Sequence, residues 1–369
     1  YQISGDDAAN VLAMTCVGGN TTPISAPNAP CADVKTIVIF PGDEVDSVDL
    51  SGVTAANFTS IPSVDIYGDL EVSDPKVDSL IGSGLADRIL SDAFDNVKGG
   101  AGNDYIQFGG KVEGEGGDDV LQDVSAANGA FGGPGDDRFI DSVSAGGMFG
   151  GTGEDSFEAD FNSAIGSIDF TMIFNATQIV VQADAGSATY DLSEFEHLII
   201  TMPSAGTQTL NALTFAGDVD VRGFGGTDII TGSKKSDTLR GGSGNDTINA
   251  QDGGFDIVEC GLGTDTAKVD GLDRVTGCEN VTVAKPQTTI TKGPRNVRKG
   301  ALATFKFTSS VPGSVFQCKV DKKPWKSCTS PYSVSTGGLT KGLHTLRVRA
   351  GFPAGNWDAT PAKKSFGVT

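Results

Sequence analysis

Twelve aspartates in this chain share a local pattern: most follow a glycine-rich stretch, and each precedes an apolar residue by two positions. They are Asp78, Asp87, Asp95, Asp104, Asp119, Asp137, Asp155, Asp228, Asp237, Asp246, Asp256 and Asp265. Glycine lets the backbone turn through positive φ, which brings carbonyl oxygens towards a shared centre. A carboxylate beside such a turn adds charge, and Ca²⁺ is a hard cation that binds only oxygens. The pattern therefore predicts calcium sites in loops.

The most complete loops supply the predicted ligands. These are the carboxylates of Asp104, Asp119, Asp137, Asp155, Asp228, Asp246, Asp256 and Asp265, together with the loop glycines Gly99, Gly132, Gly150 and Gly241. Loops at 73–78, 82–87, 91–95 and 232–237 have lost most of their glycines, and calcium is not expected in them. The alternative is a metal-free glycine-rich chain whose aspartates only form Asx-turns. Because the Gly-x-Asp spacing recurs in four nearly complete copies, calcium is the favoured interpretation.

The spacing of the aspartates indicates the element that positions them. From Asp228 the intervals are 9, 9, 10 and 9 residues, and from Asp119 to Asp155 they are 18 and 18. A nine-residue period with an eighteen-residue double is typical of a solenoid whose turn contains two strands and two loops. Each apolar residue then points inward between two sheets, because side chains alternate along a strand.

Stacking of turns predicts which aspartates lie together. Asp119, Asp137 and Asp155 form one column, which Asp104 extends if a turn of 15 residues is tolerated. A second column contains the aspartates at 228, 246 and 265, whereas those at 237 and 256 lie on the opposite edge of the same block.

These motifs resemble the RTX, or haemolysin-type, calcium-binding repeats that form a parallel β-roll. The resemblance covers residues 78–157 and 223–270 and is most specific at 99–106, 132–139, 150–157 and 241–248. The loop at 114–119 departs from it by carrying Glu115 in place of the second glycine. The resemblance implies calcium between loops stacked one turn apart.

The remaining chain divides by composition. Residues 1–35 are expected to form a cap, with a short helix over Asp6–Met14, before a β-solenoid at 36–285. The middle, 158–222, lacks glycine-rich loops and is predicted to continue the solenoid without calcium, with or without an excursion. A linker at 286–293 leads to residues 294–369, which resemble the Ig-like modules of bacterial surface proteins. The predicted fold class is all-β, a parallel β-roll or β-solenoid followed by a small Ig-like β-sandwich.

The six cysteines indicate an oxidising compartment. They allow fifteen pairings, of which the local couples 16–31, 260–278 and 318–328 are favoured. No Cys-x-x-Cys pair is present, so structural disulfides are expected rather than a zinc or redox site. Tyr1 is expected to be a mature N-terminus after processing, and no window is apolar enough to span a membrane. The predicted location is therefore extracellular or at the cell surface.

Charge is divided unequally along the chain. Residues 292–364 contain 14 basic and 2 acidic residues, a net charge of +12, whereas the other 13 basic and 45 acidic residues give −32. The acidic part excludes nucleic acid as a partner, since phosphate contacts require a basic surface. The two parts could bind each other between copies of the chain, and an anionic cell-wall polymer is an equally good partner for the basic tail.

The residues that usually perform catalysis are missing in their usual arrangements. His197 and His344 are the only histidines, and neither belongs to a His-Glu-x-x-His motif. No Gly-x-Ser-x-Gly elbow occurs. The sequence therefore predicts a structural calcium-binding surface protein and not an enzyme. An adhesin or carbohydrate-binding protein is the alternative, although Trp325 is expected to pack in a core, and a β-helix enzyme acting on polysaccharide is less favoured.

Overall fold

The computed structural model describes most of the chain in two compact units, Tyr1–Gly226 and Thr227–Thr369. The described residues are 2–4, 11–17, 20–21, 30–41, 45–68, 76–124, 129–140, 147–161, 170–174, 178–183, 186–352 and 355–369. Within them the only helix is a 3₁₀ turn at Cys31–Asp33. No helix among these residues is long and apolar enough to cross a membrane. The all-β prediction is confirmed.

The strands of the first unit are short. In chain order they are β1 (Gln2–Ser4), β2 (Val11–Val17), β3 (Asn20–Thr21), β4 (Ile37–Phe40), β5 (Ser47–Gly52), β6 (Ser63–Tyr67), β7 (Ser79–Ile81), β8 (Ala86–Leu90), β9 (Asn96–Ala101), β10 (Tyr105–Gln107), β11 (Lys111–Gly116), β12 (Val120–Gln122), β13 (Ala130–Pro134), β14 (Arg138–Ile140), β15 (Gly147–Thr152), β16 (Ser156–Asp160), β17 (Phe170–Phe174), β18 (Gln178–Ala183), β19 (Gly186–Ser193), β20 (His197–Thr201), β21 (Gln208–Asn211), β22 (Asp218–Arg222) and β23 (Gly225–Gly226).

Successive strands of this unit alternate between two parallel sheets, as a solenoid requires. One sheet has the order β1-β4-β6-β8-β10-β12-β14-β16-β20-β22, and the other begins β3-β2-β5-β7-β9-β11-β13-β15. Apart from the short antiparallel pair of β2 and β3, these neighbours pair in parallel. Ile106 pairs with Leu121, which pairs with Phe139, so identical positions of successive turns stack directly.

Two segments of the first unit differ from a regular solenoid. The helix expected over Asp6–Met14 is wrong where the chain is described, because Val11–Val17 is a strand that pairs in parallel with β5. Residues 5–10 lie outside the described residues. In the middle segment β18 pairs antiparallel with both β17 and β19, while β17 pairs in parallel with β21. The excursion that the sequence left open is therefore a set of three strands within one sheet, in which the central β18 is antiparallel to both neighbours.

The second unit contains further solenoid turns followed by sheets whose strands pair antiparallel, except for one short parallel pair. Its strands are β24 (Ile229–Thr231), β25 (Thr238–Gly244), β26 (Thr247–Ala250), β27 (Ile257–Leu262), β28 (Thr266–Val269), β29 (Arg274–Thr276), β30 (Asn280–Val283), β31 (Thr288–Lys292), β32 (Asn296–Val297), β33 (Leu302–Ser309), β34 (Val315–Val320), β35 (Lys326–Cys328), β36 (Tyr332–Ser335), β37 (Gly342–Gly351) and β38 (Ala362–Val368). The parallel orders are β24-β26-β28-β30 and β25-β27-β29. The sheets β31-β33-β36 and β32-β38-β37-β34-β35 form a small β-sandwich.

The solenoid core has the inward positions that the sequence predicts. All twelve residues two positions after the aspartates are buried: Leu80, Ile89, Val97, Ile106, Leu121, Phe139, Phe157, Ile230, Leu239, Ile248, Val258 and Ala267. The sandwich has a core of its own, in which the rings of Phe305 and Phe366 lie 5.4 Å apart. Burial of these apolar side chains is the main force that holds both architectures together.

Disulfides close the second unit locally. Cys260 is bonded to Cys278 and Cys318 to Cys328, which confirms two of the three favoured pairs. Cys31 is also disulfide-bonded, whereas the side chain of Cys16 lies outside the described part of the chain.

Candidate metal centre

The aspartates of the first unit form a hydrogen-bonded ladder along one edge of the roll. The backbone N–H of each aspartate in the ladder donates to Oδ1 of the aspartate one turn later. The links run from Asp87 to Asp104, Asp119, Asp137 and Asp155, with N···O distances of 2.8, 2.8, 2.9 and 2.8 Å. The ladder ends where the Asp155 N–H donates to Oε2 of Glu196 at 3.0 Å. Asp104 thus joins the column although its turn is only 15 residues long.

The second unit repeats this geometry on both edges. On one edge the N–H groups of Asp228 and Asp246 donate to the next aspartate at 2.8 Å each, and Asp265 donates to Glu279 at 2.8 Å. On the other edge Asp237 donates to Asp256 at 2.8 Å, and Asp256 donates to Asp273 at 3.2 Å. The columns predicted from spacing are therefore present as hydrogen-bonded rows.

The second carboxylate oxygen in these rows is buried and has no hydrogen-bond donor. Among the described residues, Oδ2 lacks a partner in Asp104, Asp119, Asp137, Asp155, Asp246, Asp256 and Asp265. Asp104 and Asp119 expose only 2% and 1% of their surfaces. A buried carboxylate needs a donor or a cation, because burying an uncompensated charge is strongly unfavourable. The repetition of one orphaned atom per turn points to a ligand that the protein chain does not supply.

Glycines leave the space in which this ligand fits. A Cβ added to Gly99, Gly132 or Gly150 would collide with Oδ2 of the aspartate five residues later and with a backbone carbonyl oxygen of the next turn. Gly241 is placed in the same way against Asp246 Oδ2 and the Cys260 carbonyl. Each predicted loop glycine therefore opens a cradle into which carboxylate and carbonyl oxygens converge.

The loop backbone uses positive φ where the sequence provides glycine. Gly133 and Gly135 have φ of 121° and 141°, a region that L side chains rarely adopt. Glu115, which replaces the second glycine of its loop, still has φ of 73°. The loop ending at Asp119 therefore keeps the shape of its neighbours despite the substitution.

Burial makes the charged form of these carboxylates unfavourable in the absence of a cation. Desolvation raises the pKa of Asp104 to about 8 and that of Asp119 to about 7, although a backbone N–H to each lowers it. Desolvation likewise raises the pKa of Asp137 to about 6 and of Asp256 to about 8. A divalent cation reverses this preference, since metal ligands bind in the deprotonated form.

Two of the loops in which calcium is not expected satisfy their aspartates with a serine. At Asp237, Oδ2 accepts the Ser233 N–H at 2.6 Å and Oδ1 accepts the Ser233 hydroxyl at 2.8 Å. At Asp87 the hydroxyl of Ser83 donates at 2.7 Å, and its N–H donates to the other oxygen. We call these contacts serine locks. They occupy both carboxylate oxygens, so these loops do not need a cation inside the turn.

Sequence reasoning missed three kinds of site residue. Glu196 and Glu279 end two rows in place of aspartate, and the loops that precede them have no glycine-rich signature. The serine locks have a recognisable signal, because Gly-Ser-x-x-x-Asp occurs at 82–87 and again at 232–237. Asp252 approaches Asp237 and Asp256 from a position that the repeat does not use for a carboxylate.

The donor set fits calcium. The atoms that converge in each cradle are carboxylate and backbone carbonyl oxygens, the ligands of a hard cation, and none is the nitrogen or sulfur that zinc prefers. The residues that would hold the ion are the predicted aspartates and the carbonyls of the next turn.

Comparison with known families agrees with this chemistry. A family model described as the RTX calcium-binding nonapeptide repeat matches four copies at residues 89–110 and 222–254. The matches include the two most complete loops, ending at Asp104 and Asp246. No curated protein matches the chain. The loops at 132–137 and 150–155 lie outside the matched residues but have the same ladder and cradles. The matched residues are therefore RTX-type calcium-binding repeats, and they lie in a parallel β-solenoid.

Proposed function

We propose that this protein is an extracellular structural scaffold whose β-roll is made rigid by calcium. The observation that carries the proposal is the row of buried Oδ2 atoms without a donor, repeated turn after turn in glycine cradles. A row of equivalent sites along the roll fits a long structural element better than an enzyme with a single reaction centre. We therefore assign the chain a structural role and not an enzymatic one.

The extracellular location is supported by two independent features. Calcium is abundant outside cells, and RTX repeats are typical of secreted proteins. Disulfides persist in oxidising compartments and are rare in the cytosol, and the second unit contains two of them. We also propose that the C-terminal sandwich is an Ig-like module, since its antiparallel sheets enclose one apolar core.

Calcium titration tests the central claim. Calorimetry on the full chain should detect several bound ions, and circular dichroism should show thermal stability rising with calcium, because a ligand of the native state stabilises it. Magnesium at the same ionic strength is the control for general charge screening. Unfolding curves that are identical in calcium and in chelator would refute the scaffold proposal.

The charge asymmetry supports assembly between copies of the chain. An acidic region of −32 and a basic region of +12 on one polypeptide allow a head-to-tail contact, which propagates if the rotation does not close. Electron microscopy of the protein with calcium should show fibres or layers that dissolve in high salt. The alternative outcome is a protein that stays a monodisperse monomer in calcium and that binds an anionic cell-wall polymer. The proposed role of the basic region would then be anchoring and not assembly.

A groove in the sandwich supports glycan binding as a second candidate. The groove has a volume of about 1000 Å³ and is lined by Phe316, Tyr332 and Trp357 among others. Trp325, expected in the core, is instead half-exposed, with Lys319 Nζ 4.6 Å and the Arg349 guanidinium 4.5 Å from its ring. Glycan-array binding that disappears in Trp357→Ala and survives in Trp357→Phe would support this function, whereas an array without signal would exclude it.

A further inference from the structure

Three aspartates of the second unit form a cluster that the repeat pattern does not describe. Carboxylate oxygens of Asp237, Asp252 and Asp256 all lie within 4.8 Å of one another. Asp237 and Asp256 are successive members of one row, but Asp252 occupies a position where the repeat has glycine. Its Oδ1 accepts the Gly254 N–H at 2.8 Å, which fixes the carboxylate in a tight turn.

A second observation shows that this cluster needs a cation. Asp256 is completely buried, and its Oδ1 accepts the Asp237 N–H at 2.8 Å. Its Oδ2 has no hydrogen-bond partner among the described residues. A buried carboxylate beside two others is strongly unfavourable without a compensating positive charge, because like charges at this distance repel in a poorly hydrated site.

The nearby lysines do not provide that charge. Lys234 and Lys235, which stand where the repeat would place a cation, are both exposed. In the part of the chain that is described, neither forms an ion pair with the cluster, and Lys235 contributes its backbone N–H to the Ser233 hydroxyl at 3.0 Å. The serine lock fixes the Asp237 carboxylate from inside the turn, and a carboxylate oxygen of Asp237 lies within 4.8 Å of one of Asp252.

The turn that carries Asp252 also contacts the sandwich. Gly253 has φ of 100°, and a Cβ at this position would lie 2.6 Å from the backbone of Pro312. In the next solenoid turn Gly271 packs against the ring of Phe352, which is buried with Val311. The segment 252–254 is therefore both a carboxylate donor and part of the junction between roll and sandwich.

We propose that Asp237, Asp252 and Asp256 bind one divalent cation and that this ion fixes the turn 252–254 against the sandwich. Three carboxylates make a harder and more negative site than the carbonyl-rich cradles, so it is chemically distinct from them. Calcium is the expected ion because all donors are carboxylate oxygens, the ligands that a hard cation prefers. The identity of the ion rests on the proposed calcium scaffold, whereas the site itself does not.

Asp252→Asn tests the site with little risk to the fold. The amide is isosteric, and its oxygen still accepts the Gly254 N–H. Asp49→Asn is the matched control, since Asp49 is an exposed aspartate that only accepts hydrogen bonds from Ser51. The number of calcium ions bound by each full-length protein is measured by calorimetry and by equilibrium dialysis. Hydrogen exchange is measured with and without calcium at the amides of 252–255 and, within 311–313, at those of Val311 and Gly313.

We expect Asp252→Asn to bind one ion fewer than the wild type and Asp49→Asn to bind the same number. Calcium should slow exchange at both segments in the wild type and in the control, but not in Asp252→Asn. An unchanged number of ions in Asp252→Asn overturns the site, and one lost ion without a change in exchange at 311–313 overturns its coupling to the sandwich. A wild-type protein that binds no calcium refutes the scaffold proposal instead, so the two failures are distinguishable.

Discussion

The substitution Asp104→Asn should destabilise the protein when calcium is present and stabilise it when calcium is removed. The asparagine oxygen can still accept the Asp87 N–H that Oδ1 accepts at 2.8 Å. The other position becomes an NH₂ group that faces the carbonyl-lined cradle. With calcium the variant loses a charged ligand and is destabilised. Without calcium it loses a buried charge whose Oδ2 has no donor, and it becomes more stable than the wild type.

The magnitude follows from the pKa of Asp104 and from mass action. A rise from near 4 in the unfolded chain to about 8 in the fold corresponds to roughly 5 kcal/mol above pH 8. Relaxation of the fold and water penetration around a buried carboxylate reduce the figure to about 2–3 kcal/mol. One calcium site at one hundred times its Kd contributes about 2.7 kcal/mol in the opposite direction. The two effects are similar in size, so the sign of the change is the decisive result.

The pH dependence of the calcium-free protein has a defined direction. Because the folded pKa of Asp104 is raised above its unfolded value, its contribution to stability is fully present below about pH 4 and is lost as the pH rises through about 8. Asp104→Asn should make the free energy of unfolding of the calcium-free protein less dependent on pH over this range. Urea unfolding at pH 5, 7 and 9, in chelator and in calcium, measures it. A variant that is less stable than the wild type at pH 9 in chelator would refute the argument that the buried charge is uncompensated.

Three further changes test separate parts of the structure. Gly132→Ala places a methyl group in a cradle, so calorimetry should show at least one calcium ion lost and urea unfolding should show a destabilisation of about 2 kcal/mol or more. Ser83→Ala removes the hydroxyl of a serine lock and leaves Asp87 with one donor fewer, so it should cost about 1–2 kcal/mol equally in calcium and in chelator. The hydrogen bond that His344 Nδ1 donates to the Asp321 carboxylate raises the pKa of His344, so unfolding of the sandwich should become easier as the pH rises from 6 to 8.5, and His344→Gln should remove this trend.

The repeat made much of the site predictable. Strand alternation places an aspartate and the apolar residue two positions later on the same face, so a single pattern predicted both the buried row and the core. Sequence spacing alone is insufficient to assign Asp104 to its column. Its turn has only 15 residues, yet the ladder hydrogen bond forms because the shortening lies in the loop and not in the strands. Hydrogen bonding between turns, rather than loop length, determines the column.

Other features depend on contacts that a linear pattern does not contain. Asp6–Met14 has acidic residues at a helix-like start, yet its described part, from Val11 onward, is a strand that pairs in parallel with β5. Glu196 follows Asp155 by 41 residues because an antiparallel excursion separates two stacked turns. Its position in the Ig-like motif predicts Trp325 as a core residue, but the ring is half-exposed and Arg349 and Lys319 lie over it in cation–π contacts.

Serine locks and calcium cradles are two solutions to one problem, the burial of a carboxylate in every turn. A serine supplies donors from within its own loop, so the turn at 82–87 is complete before any ion binds. A glycine cradle removes every local donor, so the next four turns of the same ladder depend on an external cation. The serine lock at Asp87 lies at the beginning of this ladder, since the Asp87 N–H donates to Oδ1 of Asp104 in the next turn. Loss of calcium should therefore loosen the roll from Asp104 onward while the turn that precedes it persists.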